Sequence, residues 1–313
     1  MTSPSPAIGT SAFVNAVTAS EPAPPGAGSR ALRLRQGLAS WAGLIPFFLF
    51  LGLFLVVPTV SVFIRAFGQT KGSDVPAMRE AMSGLFPHYF WESLKLSFIT
   101  AVVGGFVGTM LALIVVRMQR PRWLRNLVTA FSGVAANMGG IVLAFAFIAA
   151  LGTQGLATKA LKTIGFELPS QYITTSSGLV VVYSFFQIPL MFLVMLPAID
   201  GLKPAWREAV ANLGGTAVTY WWRVGIPVLT PAALGGMLLL FANAFAAYAT
   251  AFALSTGSAE LVPVQIRFYL QGDNITGKAN IGYALAAWMI LIMLATIGIY
   301  LLLRRRSERW QKA

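Results

Sequence analysis

The chain has 313 residues, 57% hydrophobic and only 11% charged, with a net charge of +13 and a mean hydropathy of +0.72. Soluble domains carry about 25% charged residues, so too few charges remain here to cover a water-facing surface, and several apolar runs reach the roughly 20 residues that cross a bilayer as a helix. Further classes fall away: there is no Cys for disulfides or thiol chemistry, the single His88 disfavours a histidine metal site, and long unbroken apolar runs do not fit the alternating strands of a membrane β-barrel.

Taken in chain order, Met1 to Ser29 are rich in Ser, Ala, Pro, Gly and Thr. Residues 1–40 are expected to be a disordered cytoplasmic tail. They lack the basic-then-apolar order of a cleavable signal, so the first span is expected to act as its own insertion signal. Residues 41–306 are expected to be one transmembrane domain, and 307–313 a short cytoplasmic tail. Six spans are read at about 42–67, 94–116, 127–151, 178–199, 231–254 and 281–303. The fold class is an all-α membrane protein with six transmembrane helices and a cytoplasmic helix between spans four and five. The connection 68–93 holds Pro87, His88, Tyr89, Phe90 and Trp91, aromatics suited to a membrane interface. The connections 152–177 and 255–280 have room for short interfacial helices.

Orientation follows from Lys and Arg. With both termini cytoplasmic, the inner side holds Arg30, Arg33 and Arg35; Arg117, Arg120, Arg122 and Arg125; Lys203, Arg207 and Arg223; and Arg304, Arg305, Arg306, Arg309 and Lys312. That is 15 of the 23 basic residues, the excess that the positive-inside rule requires. Such charge faces anionic lipid, and no nucleic-acid partner is expected.

The connection from Asp200 to Pro231 is long for an inner loop. Pro204 is placed to start a helix over 205–213. Gly214 and Gly215 break it and permit a tight turn. Thr216 is placed to cap a second helix over 217–224, and Pro227 is expected to stop that helix before span five. The result is a helix–turn–helix on the membrane surface, with Trp206, Tyr220, Trp221 and Trp222 near the interface.

These residues resemble the EAA loop of permease subunits of binding-protein-dependent ABC importers. In that loop Glu-Ala-Ala is followed by a Gly six residues after the Glu and by Ile-x-Leu-Pro ending nineteen after it. Glu208, Ala209 and Val210 stand for Glu-Ala-Ala, Gly214 for the Gly, and Val224, Gly225, Ile226 and Pro227 for the last four. Glu208, Ala209, Gly214 and Pro227 match outright, and Val210, Val224 and Ile226 replace apolar by apolar. The resemblance covers about 42–306. It implies a bacterial inner-membrane, multi-pass subunit whose loop seats in a groove of a separate ATPase, with Glu208 offered to a basic residue there. It also implies a second permease subunit, identical or similar, and an extracytoplasmic solute-binding protein. The chain itself needs no cofactor; ATP and Mg belong to the partner ATPase.

Gly272 to Ala279 nearly spells a phosphate-binding loop, but Ala279 replaces the required Ser or Thr and no strand precedes it. Asn274-Ile275-Thr276 matches a glycosylation sequon, a short pattern common by chance. The polar residues inside spans are Asn137, Ser184, Gln187, Asn243, Tyr248 and Thr250. Asn243, Tyr248 and Thr250 of span five are the candidates for lining a translocation path, with interhelical hydrogen bonding as the competing role. The small residues Ala242, Ala244, Ala246, Ala247, Ala249 and Ala251, after Gly235-Gly236, are read as packing. No nucleophile–base or paired-carboxylate arrangement is present, so the chain is read as no enzyme.

The reading is therefore a permease that forms the path for a small solute and couples it to an ATPase. The stretch from Ala242 to Ser255 resembles most the spermidine/putrescine-type branch, which also includes relatives for iron, phosphonates and other solutes, so the resemblance implies a polyamine or another small solute as substrate. The alternative is a secondary transporter or channel without an ATPase, which would carry inverted repeats or intramembrane charge.

Overall fold

A computed structural model describes residues 44–70, 74–118, 121–166, 169, 172–255, 259–271 and 278–310. The expected tail 1–40 and the phosphate-loop look-alike over 272–277 lie outside the described residues. Among the described residues helices dominate and no strand occurs; Gln69 and Pro76 form an isolated bridge. Six helical stretches are long and apolar enough to cross a bilayer: Ile45–Ala66, Phe86–Arg117, Ile141–Thr163, Ser176–Asp200, Ala217–Ala246 and Ala279–Leu302. The described residues fall into two units, 44–60 and the part from residue 61 onward, which are taken one at a time.

In the first unit, Pro46 sits in the opening turn of the helix Ile45–Leu51, where its missing N–H costs nothing. A π turn, Gly52–Val56, follows, closed by the Val57 N–H donating to the Gly52 carbonyl. Pro58 comes two residues later, in the next α-helical segment. A proline removes one intrahelical bond and crowds the preceding turn; the wider π turn gives it room.

In the second unit, span two is one helix, Phe86–Arg117. His88, Tyr89, Phe90 and Trp91, expected in a loop, form its opening turns. Pro87 explains the shift, because proline in a first turn starts a helix rather than breaking it. The buried face of this helix carries Ser93, Ser97, Ala101, Gly104, Gly108 and Ala112, spaced three or four apart. Such a stripe lets backbones approach closely in lipid, where apolar side chains gain nothing by leaving the bilayer. A Cβ on Gly108 would stand 2.6 Å from the Ile188 carbonyl oxygen and from the Met191 Cβ of span four. One on Gly105 would stand 2.8 Å from Met237 of span five. Spans two, four and five thus share a core around Ala101, Met191, Phe192, Met195 and Leu240.

Span three departs most from the expectation of one helix over 127–151. It is two helices, Arg122–Asn137 and Ile141–Leu151, separated at Met138–Gly140. Arg125 Nη2 donates to Asp200 Oδ2 at 2.6 Å, at the last residue of span four. Ile141–Leu151 reaches the Tyr172–Thr174 turn at the other end of span four. The two pieces together therefore run the length of span four, and this pair, rather than Ile141–Thr163 alone, is the third crossing.

Span five is also interrupted: Ile226–Ala246 and Tyr248–Ser255 meet at Ala247, whose backbone is extended. Span six runs as Ala279–Trp310, so the expected tail from residue 307 continues the helix to Trp310. The connections hold short helices, Ala77–Glu80, Leu156–Thr163 and Val262–Gln271. The first and third are stitched to the spans: Trp288 Nε1 donates to the Met78 carbonyl at 2.9 Å, and the Val262 N–H donates to Ser93 Oγ at 2.9 Å.

Candidate functional site

The surface hairpin begins with a helix, Pro204–Asn212, one residue from the span predicted for it. Its end is a Schellman motif: Gly214 has φ +75, its N–H donates to the Ala211 carbonyl at 2.9 Å, and the Gly215 N–H donates to the Val210 carbonyl at 2.8 Å. This left-handed position is why Gly214 must be glycine. Gly215 is required for another reason, since a Cβ there would meet Val210 Cγ1 at 2.6 Å. Thr216 then caps the helix Ala217–Tyr220 by accepting from the Thr219 N–H at 3.4 Å. Glu208 and Ala209 are exposed on the first helix, with Val210 half-buried over the turn.

Pro227 does not stop the second helix. A π turn, Trp221–Gly225, joins Ala217–Tyr220 to Ile226–Ala246, and Pro227 enters in the first turn of the last segment. The Ile226 N–H donates to the Trp221 carbonyl. This repeats the arrangement at Pro58 and has the same cause. Gly225 is set by contact: a Cβ on it would lie 2.5 Å from the Trp221 ring. Val224 is half-buried there, and Ile226 and Pro227 are exposed.

The second site lies where the two broken spans meet. Thr250 Oγ1, fully buried, accepts from the Gly140 N–H at 2.9 Å and approaches the Gly140 carbonyl at 3.3 Å. Gly140 has φ 79 and ψ −147, a region open essentially to glycine alone. On the other side of the break, Tyr183 Oη donates to the Ala247 carbonyl at 2.6 Å, and Gln187 Nε2 donates to the Leu240 carbonyl at 2.7 Å. Helix ends inside a bilayer leave backbone groups that only neighbouring protein can satisfy; Thr250 and Tyr183 do so, while Gln187 bonds a carbonyl within the helix, six residues before its end.

A cleft of about 290 Å³ opens beside this junction, lined by Ala136, Asn137, Gly139, Gly140, Phe186, Asn243, Ala246, Ala247 and Thr250. All its lining residues are uncharged. Of the three path candidates, Asn243 and Thr250 line it, whereas Tyr248 does not: its ring lies against Phe252, and its hydroxyl accepts from Arg267. Tyr183 was not legible in the sequence, where a tyrosine in an apolar run reads as core. Gly139-Gly140 was the available signal for the break, since paired glycines interrupt spans at transporter sites. At the end of the bundle away from the hairpin, His88 Nε2 lies 2.9 Å from Glu260 Oε2, and Lys95 lies 3.3 Å from Glu92.

No family profile matches the chain. It is 25% identical over 274 residues to a ferric transport system permease protein of Actinobacillus pleuropneumoniae, covering 84% of this chain and 38% of that protein. It is 23% identical over 296 residues to a probable ABC transporter permease protein of Bacillus subtilis, covering 90% and 94%. It is 24% identical over 261 residues to a sulfate transport system permease protein of Escherichia coli, covering 82% and 85%. The chain thus spans less than two-fifths of the ferric permease's length and most of the other two. Among solved structures, a bacterial ABC transporter that imports the acidic polysaccharide alginate superposes with a TM-score of 0.67 at 18% identity, over 88% of this chain and 97% of that one. The six-span helical fold is that of ABC transporter membrane subunits, and in sequence the chain is similar to their permeases.

Proposed function

We propose that this chain is a permease subunit of an ABC importer, which forms the solute path and is driven by a separate ATPase through the hairpin 204–227. The observation that carries the reading is the hairpin itself. Glu208, Ala209, Gly214 and Pro227 keep the EAA-loop spacing, and the Schellman turn at Gly214 presents Glu208 and Ala209 on an exposed helix. A short helix of this kind fits a groove in a soluble partner and transmits rigid-body motion from it. The likeness to permeases supports the reading. The proposed partners are a P-loop ATPase, which holds the ATP and Mg, a second permease, and an extracytoplasmic binding protein. The proposed membrane is the bacterial inner membrane, with the hairpin and both termini on the cytoplasmic side.

The cargo is proposed to be a small solute passing the uncharged cleft at Asn243 and Thr250. Spermidine or putrescine is the class drawn from the resemblance of the stretch Ala242 to Ser255. Ferric iron and sulfate are the cargoes named for two of the relatives above. Uptake of each by cells carrying the transporter decides among them.

Co-expressed with its ATPase, the chain should retain that subunit through affinity purification. Replacing Glu208 and Gly214 together, as Glu208→Lys with Gly214→Val, should abolish both retention and uptake. If the double variant keeps both, or if the chain alone transports in proteoliposomes without ATP, it is a secondary transporter or channel instead.

A further inference from the structure

Two cavities at the hairpin end of the bundle share Arg117 and Trp221. One, of about 500 Å³, is an apolar groove between spans two and five, walled by Met110, Leu113, Ile114, Ile226, Leu229 and Ala233. From Thr109 to Arg117 it follows span two for about 12 Å. The other, of about 1020 Å³, lies under the hairpin and is lined by the cations Arg117, Lys203 and Arg207. Among the described residues none of these three lies within ion-pair distance of a carboxylate; the nearby Asp200 is taken by Arg125. The Arg117 guanidinium lies 5.2 Å over the Trp221 ring, where the two cavities join.

An apolar slot that opens onto unpaired cations beside a tryptophan at a membrane boundary matches one ligand chemistry. Its chain needs hydrocarbon surroundings and its head needs positive charge. We propose that Arg117, Lys203 and Arg207 bind the headgroup of an anionic phospholipid whose acyl chain lies in the groove between spans two and five. The lipid would touch both the hairpin and the foot of span five, so membrane composition would bear on the coupling element directly.

Native mass spectrometry of the full chain, delipidated in detergent and titrated with phosphatidylglycerol or phosphatidylcholine, tests this. Phosphatidylglycerol should bind more tightly. Arg117→Gln should weaken it about fivefold, the factor that corresponds to about 1 kcal/mol for one cation at an anionic surface. The triple variant R117Q/K203Q/R207Q should bind both lipids alike. Ala233→Phe, which fills the groove and leaves the charges in place, should weaken both lipids. Arg223→Gln, a cation outside both cavities, should change nothing. The proposal is overturned if the unmodified chain binds the two lipids equally, or if Arg223→Gln costs as much as Arg117→Gln. It is also overturned if glycerol phosphate competes as well as phosphatidylglycerol, which would mark a site for free anions. A lipid-free dimer that Ala233→Phe dissociates would assign the groove to a second copy of the chain.

Discussion

At the scale of single residues, Thr250 shows how a polar group serves inside a bilayer. Its hydroxyl satisfies the backbone of Gly140 across 110 residues of sequence, in surroundings where water offers no substitute. Thr250→Val should therefore lower the unfolding midpoint in detergent by the amount that about 1–3 kcal/mol of buried unsatisfied backbone implies, while Thr250→Ser should restore most of it. Equal midpoints for Val and wild type would remove the junction from the list of stabilising contacts. The sequence marked Thr250 and Gln187 as polar groups in spans, but not what they bind. Composition cannot show that the acceptor of Gln187 is the carbonyl of Leu240, because that pairing exists only once spans four and five lie side by side. Tyr248 is the counter-example, a polar span residue engaged with Arg267 rather than with the cleft.

Among the elements, apolar runs were enough to find the spans, since hydrophobic length alone decides what enters a bilayer. They were not enough to find where helices stop. Two prolines do not act as breakers: Pro87 opens the helix of span two, and Pro227 enters the first turn of the α-helix that follows the π turn Trp221–Gly225. Ala247, the break in span five, sits in an alanine-rich run with no local signal. Its carbonyl accepts from Tyr183 of span four, a tertiary contact that the local sequence does not carry. The glycines of span two were legible as small residues, and their partners were not. Gly108→Ala should push its methyl against the backbone of Ile188 and destabilise the packed spans by about 1–3 kcal/mol. Thermal unfolding in detergent should show this as a lower midpoint, whereas Gly133→Ala, with open space around it, should behave as wild type.

For the whole molecule, the charges sort to opposite ends of the same helices. Arg117, Arg125, Lys203 and Arg207 gather at the hairpin end, and His88, Glu92, Lys95 and Glu260 at the other. The native chain has no Cys, so single cysteines report sidedness cleanly. Ser83→Cys should react with a membrane-impermeant maleimide in intact cells, and Leu213→Cys only after permeabilisation; the reverse pattern would invert the proposed topology. The way the chain treats Pro227 has a mechanical consequence. Because the hairpin's second helix continues through the π turn into span five, Ala217 to Ala246 is one continuous helical stretch of 30 residues, roughly 45 Å long. A tilt of only about 5° at the hairpin would displace its far tip by roughly 4 Å. Ala246, at that tip, lines the cleft together with Asn243, so under the proposed function a small angular stroke at the surface would change the width of the cleft there.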